Sequence, residues 1–242
     1  MMKRSHAIVT GSEPVSPKRG LLTGKFATIA FPHCPLTVAL VCANFAIFGG
    51  ALALAGCGLA TYDDTMRTLS LVPERFMHAF GMGSPSGIAW AVASLFTAMF
   101  AHAGFSHVFG NMLFLVIFGP SLEHRLGTWR YIAVYLGAGF ASNALDLYMA
   151  PGSQAACLGA SAAVCGVMAG FAVRQPRSLR ALLAVLYIGY TEYAALHVEV
   201  VKFIGLTFWD HMAGVMAGAL LACLLAPSVK ASPTTDARAV AA

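Results

Sequence analysis

Leu158-Gly159-Ala160-Ser161-Ala162-Ala163-Val164-Cys165-Gly166 is an apolar run that carries a single hydroxyl. Continued to Gly170, it places Ala162, Gly166 and Gly170 four residues apart, a small-residue stripe on one helix face against which a second helix can pack closely. A partner stripe, Gly214 and Gly218, lies in Trp209-Asp210-His211-Met212-Ala213-Gly214-Val215-Met216-Ala217-Gly218. Two glycine-lined faces in contact would bring Ser161 and His211 near one another. Polar side chains deep in apolar runs are costly and mark function. A serine that meets a histidine is the minimum equipment for covalent hydrolysis.

The rest of the chain says what surrounds those two runs. It is 58% hydrophobic and only 10% charged, with mean hydropathy +0.73. Soluble domains average about 25% charged residues, so the deficit places the chain in lipid. The expected fold is an all-α, polytopic bundle of six transmembrane helices. Their expected bounds are Leu36 to Ala60, Ser106 to Leu122, Arg130 to Met149, Gly159 to Arg174, Leu179 to Leu196 and Leu206 to Ala226. The fourth run is too short for a bilayer core at 1.5 Å per residue, so its start should lie below the lipid surface, surrounded by other helices.

Between the first two runs, residues 61–101 carry Asp63, Asp64, Arg67, Glu74 and Arg75, then the loop signal Gly81-Met82-Gly83-Ser84-Pro85-Ser86-Gly87, then apolar residues from Ile88 to Phe100. An interfacial or re-entrant segment is expected there, with a seventh span as the alternative.

Charge gives an independent reading of topology. With both termini cytoplasmic, twelve of the fifteen Lys and Arg residues lie on the cytoplasmic side and only Arg67, Arg75 and Lys202 on the other. The net charge of +5 then reads as topology and headgroup contact, with no nucleic-acid partner implied. Residues 1–34 lack the apolar core of a secretory signal and are expected as a flexible cytoplasmic segment, 35–227 as the membrane domain, and 228–242 as a disordered cytoplasmic tail. The six cysteines stand singly, without a Cys-x-x-Cys pair, and read as packing residues. No His-Glu-x-x-His motif or paired acidic ligands occur, so neither a metal nor another cofactor is expected.

A second polar cluster opens the second run: His102-Ala103-Gly104-Phe105-Ser106-His107-Val108-Phe109-Gly110-Asn111. Residues four apart share a helix face, so His107 and Asn111 aim their donors at one spot. They can stabilise an oxyanion or serve as interhelical glue. Gly159 stands at an expected helix start, where free N–H groups and the helix dipole favour developing negative charge beside Ser161.

Three motifs in this order, His102-x4-His107-x3-Asn111, Gly159-Ala160-Ser161 and His211-x2-Gly214-x3-Gly218, resemble the rhomboid family of intramembrane serine proteases. Leu71-Val72-Pro73, Phe96-Thr97-Ala98-Met99-Phe100, Gly110-Asn111-Met112-Leu113-Phe114 and Glu123-x3-Gly127 extend the likeness over residues 70–220. The resemblance implies a Ser161–His211 dyad with Ser161 as nucleophile and His211 as general base. It also implies oxyanion donors at His107, Asn111 and the Ser161 N–H, a supporting or water-holding role for His102, and transmembrane proteins as substrates.

A carboxylate from Asp210 is not expected on His211, because adjacent helix residues point about 100° apart. Glu192, Glu199 and Lys202 are expected as a solvated end of the fifth helix. Two positions depart from the family pattern. Ala162 stands where glycine usually follows the serine, which is harmless only if that residue is helical. Cys165 stands where an aromatic ring often packs on the base. The residues leave two other readings open, a catalytically silent rhomboid-like factor that binds membrane proteins and a transporter or metal carrier. They do not encode the oligomeric state.

Overall fold

The computed structural model describes residues 34–197 and 204–226. The described residues form helices α1 (Pro35–Gly56), α2 (Tyr62–Leu69), α3 (Pro73–Met82), α4 (Pro85–Thr97), α5 (Phe105–Leu126), α6 (Thr128–Met149), α7 (Ser161–Arg174), α8 (Leu179–His197) and α9 (Ile204–Leu224). One isolated antiparallel bridge joins Leu71 to Cys157. The fold is all-helical, and its six longer apolar segments fall within a few residues of the bounds read from the sequence. Among the described residues, α1 and α5 are long and apolar enough to cross a membrane by length and composition. All of the expected N-terminal segment 1–34 except Cys34, the expected tail 228–242, and Glu199 and Lys202 lie outside the described residues.

The start of α1 shows how distant sequence closes a local need. Pro35 presets the first helical φ, and the next two N–H groups have no partner within the helix. The Glu123 carboxylate supplies it: Leu36 N donates to Oε1 at 3.0 Å, Thr37 N to Oε2 at 2.8 Å, and Thr37 Oγ1 to Oε2 at 2.7 Å. Glu123 is itself buried at the far end of α5. Gly127, at φ +80°, then turns the chain into α6, which is why Glu123-x3-Gly127 reads as a unit.

Residues 61–101 are more helical than the sequence reading allows. The expected loop at 81–87 contracts to a two-residue junction. Gly83 ends α3 in the left-handed conformation, the Ser84 hydroxyl caps α4 by accepting from Gly87 N, and Pro85 takes the first helical position. The loop signal is therefore a stop and a start placed side by side, and the apolar helix expected from Ile88 begins at Pro85.

At the centre of the bundle, α7 packs against α5, α6, α8 and α9. Its contact with α9 follows the glycine stripes. A methyl group on Gly214 would stand 3.0 Å from Ala162 Cα, and one on Gly166 would stand 3.0 Å from the Gly214 carbonyl oxygen. One on Gly170 would stand 3.1 Å from both Ala222 Cβ and Leu122 Cδ2. The absence of side chains at these positions sets the helix separation. On α8 the buried positions are Ala181, Ala184, Ile188 and Glu192, whereas Leu182, Leu183, Val185, Leu186 and Tyr190 face outward. Small residues inside and large apolar ones outside is the arrangement of a helix packed in lipid.

Candidate active site

Ser161 opens α7, where the first N–H groups lack intrahelical partners and the dipole is positive. Gly159 makes the sharp entry at φ +127°, and a methyl there would also press on the His107 ring, 2.8 Å from its Nε2. This turn is pinned from outside the helix. Gly159 N donates to the Ala98 carbonyl at 2.8 Å, while Leu71 and Cys157 exchange backbone bonds of 3.0 and 2.8 Å. The α2–α4 segment thus braces the peptide that carries the serine. Ala162 is helical, and no non-glycine residue among those described has positive φ, so alanine after the serine imposes no backbone strain.

Ser161, His211, His107, Asn111 and Gly159 line one cavity of about 430 Å³. His102 lies behind it, fully buried, with its ring edge-on to His107 at 5.0 Å between centroids. Ala160 N donates to His102 Nε2 at 3.3 Å, and the Phe100 carbonyl lies 3.2 Å from Nδ1. Together these contacts fix the neutral tautomer with its proton on Nδ1. Burial first, and the neighbouring His107 second, hold the His102 imidazole below the usual histidine range.

His107 shows the opposite tautomer. Its Nδ1 accepts from Ala103 N at 3.4 Å, which leaves the Nε2 proton on the side of Gly159 and the cavity. Asn111 Nδ2 is buried without a hydrogen-bond partner among the described residues. A buried, unpaired donor is destabilising at rest, and it is what a site that receives an oxygen anion supplies. Gly166, Gly170, Gly214 and Gly218 take no part in the cavity lining and act through the α7–α9 contact.

Asp210 does not approach the His211 ring as a hydrogen-bond partner; its carboxyl pairs with that of Asp146 on α6. Glu192 corrects the sequence reading. Expected at a solvated helix end, it is buried, and its Oε1 lies 2.7 Å from His211 Nδ1. The spacing Ala181, Ala184, Ile188, Glu192 carried the missed signal, since it puts the glutamate on the inward stripe of α8. Cys165 lines the cavity near His211 and presents a thiol there.

A helical membrane bundle with a serine, a histidine and two amide or imidazole donors around one cavity defines the class. A family model described as Rhomboid domain matches residues 89–228, more than half of the chain. The chain belongs to the rhomboid family of integral membrane proteins, which includes serine proteases. It is 29% identical over 161 residues to Rhomboid-like protein 11, chloroplastic, of Arabidopsis thaliana, covering 59% of this chain and 55% of that protein. It is 38% identical over 73 residues to Rhomboid-type serine protease 2 of Emericella nidulans, covering 30% and 14%. It is 31% identical over 128 residues to Presenilin-associated rhomboid-like protein, mitochondrial, of Rattus norvegicus, covering 50% and 34%. The chain spans about half or less of the length of these curated relatives. Chloroplastic and mitochondrial names among them do not narrow the host membrane to a bacterial one.

Proposed function

We propose that this chain is an intramembrane serine endopeptidase that hydrolyses peptide bonds in or near the transmembrane helices of other membrane proteins. The observation that carries the reading is the shared cavity: Ser161 at a helix N-terminus, with His211, His107 and the unpaired donor of Asn111 among its lining. Ser161 Oγ attacks the scissile carbonyl as its proton passes to His211. The oxygen anion is held by Asn111 Nδ2, His107 Nε2–H and the Ser161 N–H, and His211 returns the proton to the leaving amine. Water then resolves the acyl-enzyme, drawn from a cavity whose wall includes Ser106, Asp146 and Thr191. A cavity with polar groups in its wall answers the central difficulty of hydrolysis within lipid, which is the supply of water.

In this reading α1, α5, α6, α7, α8 and α9 are the six spans, with both ends of the chain in the cytoplasm of a bacterial cell. The 14-residue α7 is shielded from lipid by its neighbours. A fluorophosphonate probe should label the purified protein in wild type and not in Ser161→Ala. Cleavage of a model transmembrane substrate should vanish in both Ser161→Ala and His211→Ala. A protein that binds such substrates equally in all three forms and cuts in none is a silent rhomboid-like factor, and that outcome overturns the protease reading.

A further inference from the structure

Beyond the serine and histidine, one buried contact has no role in the two-residue mechanism. Glu192 of α8 is only 4% exposed, and its Oε1 lies 2.7 Å from His211 Nδ1. Its other oxygen, Oε2, is buried with no hydrogen-bond partner among the described residues. A carboxylate taken out of water to serve only as a clip between helices is a poor stabiliser, because desolvation consumes most of the attraction. A carboxylate on the outer nitrogen of an imidazole does something an apolar clip cannot. It holds the neutral ring in the tautomer with the proton on Nδ1, and it steadies the ring when the other nitrogen gains a proton.

We propose, on the footing of the protease reading, that Glu192 is a positioning residue for His211 and completes a Ser161–His211–Glu192 triad. The residue before the histidine is excluded from this task by its own pairing with Asp146. Position 165 offers a thiol, so no ring is available from there to stack on the imidazole, and orientation falls to the hydrogen bond. In the acylation step one proton leaves Ser161 Oγ and bonds to His211 Nε2, while the Nδ1 proton stays on the ring and donates to Glu192, which remains ionised. In the return step the Nε2 proton passes to the departing amine nitrogen, and the ring is neutral again. Glu192 neither gains nor loses a proton in the cycle, which is why its action is through His211 alone.

The test compares wild type, Glu192→Gln, Glu192→Asp and Ser161→Ala as full chains in the same detergent or bilayer. It reads kcat and KM on a model transmembrane substrate, fluorophosphonate labelling rate and melting temperature. Loss of the aspartate in a soluble triad lowers kcat by about 10⁴ through the wrong tautomer. Glu192→Gln should lower kcat and the labelling rate ten- to a thousandfold with KM unchanged, and Glu192→Asp should recover part of the loss. Wild-type kcat in Glu192→Gln, while Ser161→Ala is dead, overturns the triad and leaves the protease reading standing. Wild type that neither labels nor cleaves overturns both.

If both glutamate variants fail to fold, the wild-type protein still decides. Nitrogen-15 spectra of labelled histidine, with the His211 resonance assigned by its loss in His211→Gln, should show the proton on Nδ1. A proton on Nε2 in the resting protein overturns the proposal.

Discussion

Gly214→Ala is the sharpest perturbation this structure offers, because the obstacle it meets is backbone. The added methyl carbon would stand 2.9 Å from the carbonyl carbon of Ala162 and 3.0 Å from its Cα, with the carbonyl oxygen closer still. Carbon atoms in contact prefer about 3.5–4.0 Å, so α9 must retreat from α7 by at least about 0.6 Å. Overpacking of this kind costs about 1–3 kcal/mol in closely packed interiors. The retreat also acts on chemistry, since Gly214 lies one helical turn from His211 and Ala162 adjoins Ser161. A misplacement approaching 1 Å between reacting groups costs about 10²-fold.

Cleavage of a transmembrane substrate should therefore fall between tenfold and a hundredfold, with a lower melting temperature. Gly49→Ala, where the added methyl meets nothing within 4 Å, should keep both at the wild-type level. Ala162→Gly should not rescue Gly214→Ala, because the clash is with main-chain atoms common to both residues. Wild-type cleavage and melting in Gly214→Ala would show that α7 and α9 are not pressed together at this point, and the argument for Ser161 and His211 meeting would fail with it.

Three further outcomes follow from single residues. Asn111→Ala removes the unpaired donor and should lower kcat by about 10²–10³, the range for one oxyanion-hole donor, with little change in KM; an unchanged kcat would remove Asn111 from the reaction. Glu123→Ala leaves the first N–H groups of α1 without their carboxylate, so a melting experiment should show a loss of about 2–3 kcal/mol, and an unaltered transition would mean that water caps the helix as well. His102 is held below its ordinary range when folded, whereas the unfolded chain protonates near pH 6.5. As pH falls below that value the unfolded state binds more protons, and stability drops by up to about 1.4 kcal/mol per unit. The melting temperature of wild type should fall between pH 7 and 5 more steeply than that of His102→Gln, and parallel curves would refute the burial argument.

Much of this architecture is legible in one chain because its signals are local. An apolar run, a proline at a first turn, a glycine after a last turn and a serine cap each act within a few residues. The bounds of α6, α7 and α8 emerge from them within about two residues, while α5 runs a turn beyond the expected end at Leu122. The 81–87 stretch shows the limit of that logic, since a helix stop beside a helix start has the composition of a loop. Ser161, His211, His107 and Asn111 could be named from motif and spacing, and the glycine stripes said which helices would touch.

What the sequence determined by itself is the class of environment, the run of helices and the small-residue faces, consequences of composition and period, together with the candidate side chains of the site, which its motifs single out. The tertiary structure decided the partners. Glu123 caps a helix some 86 residues away, and Glu192 reaches His211 because α8 turns its alanine face inward. The rotation of a helix about its axis is set by packing against its neighbours, and a charge near a helix end reads as solvated until that rotation is known.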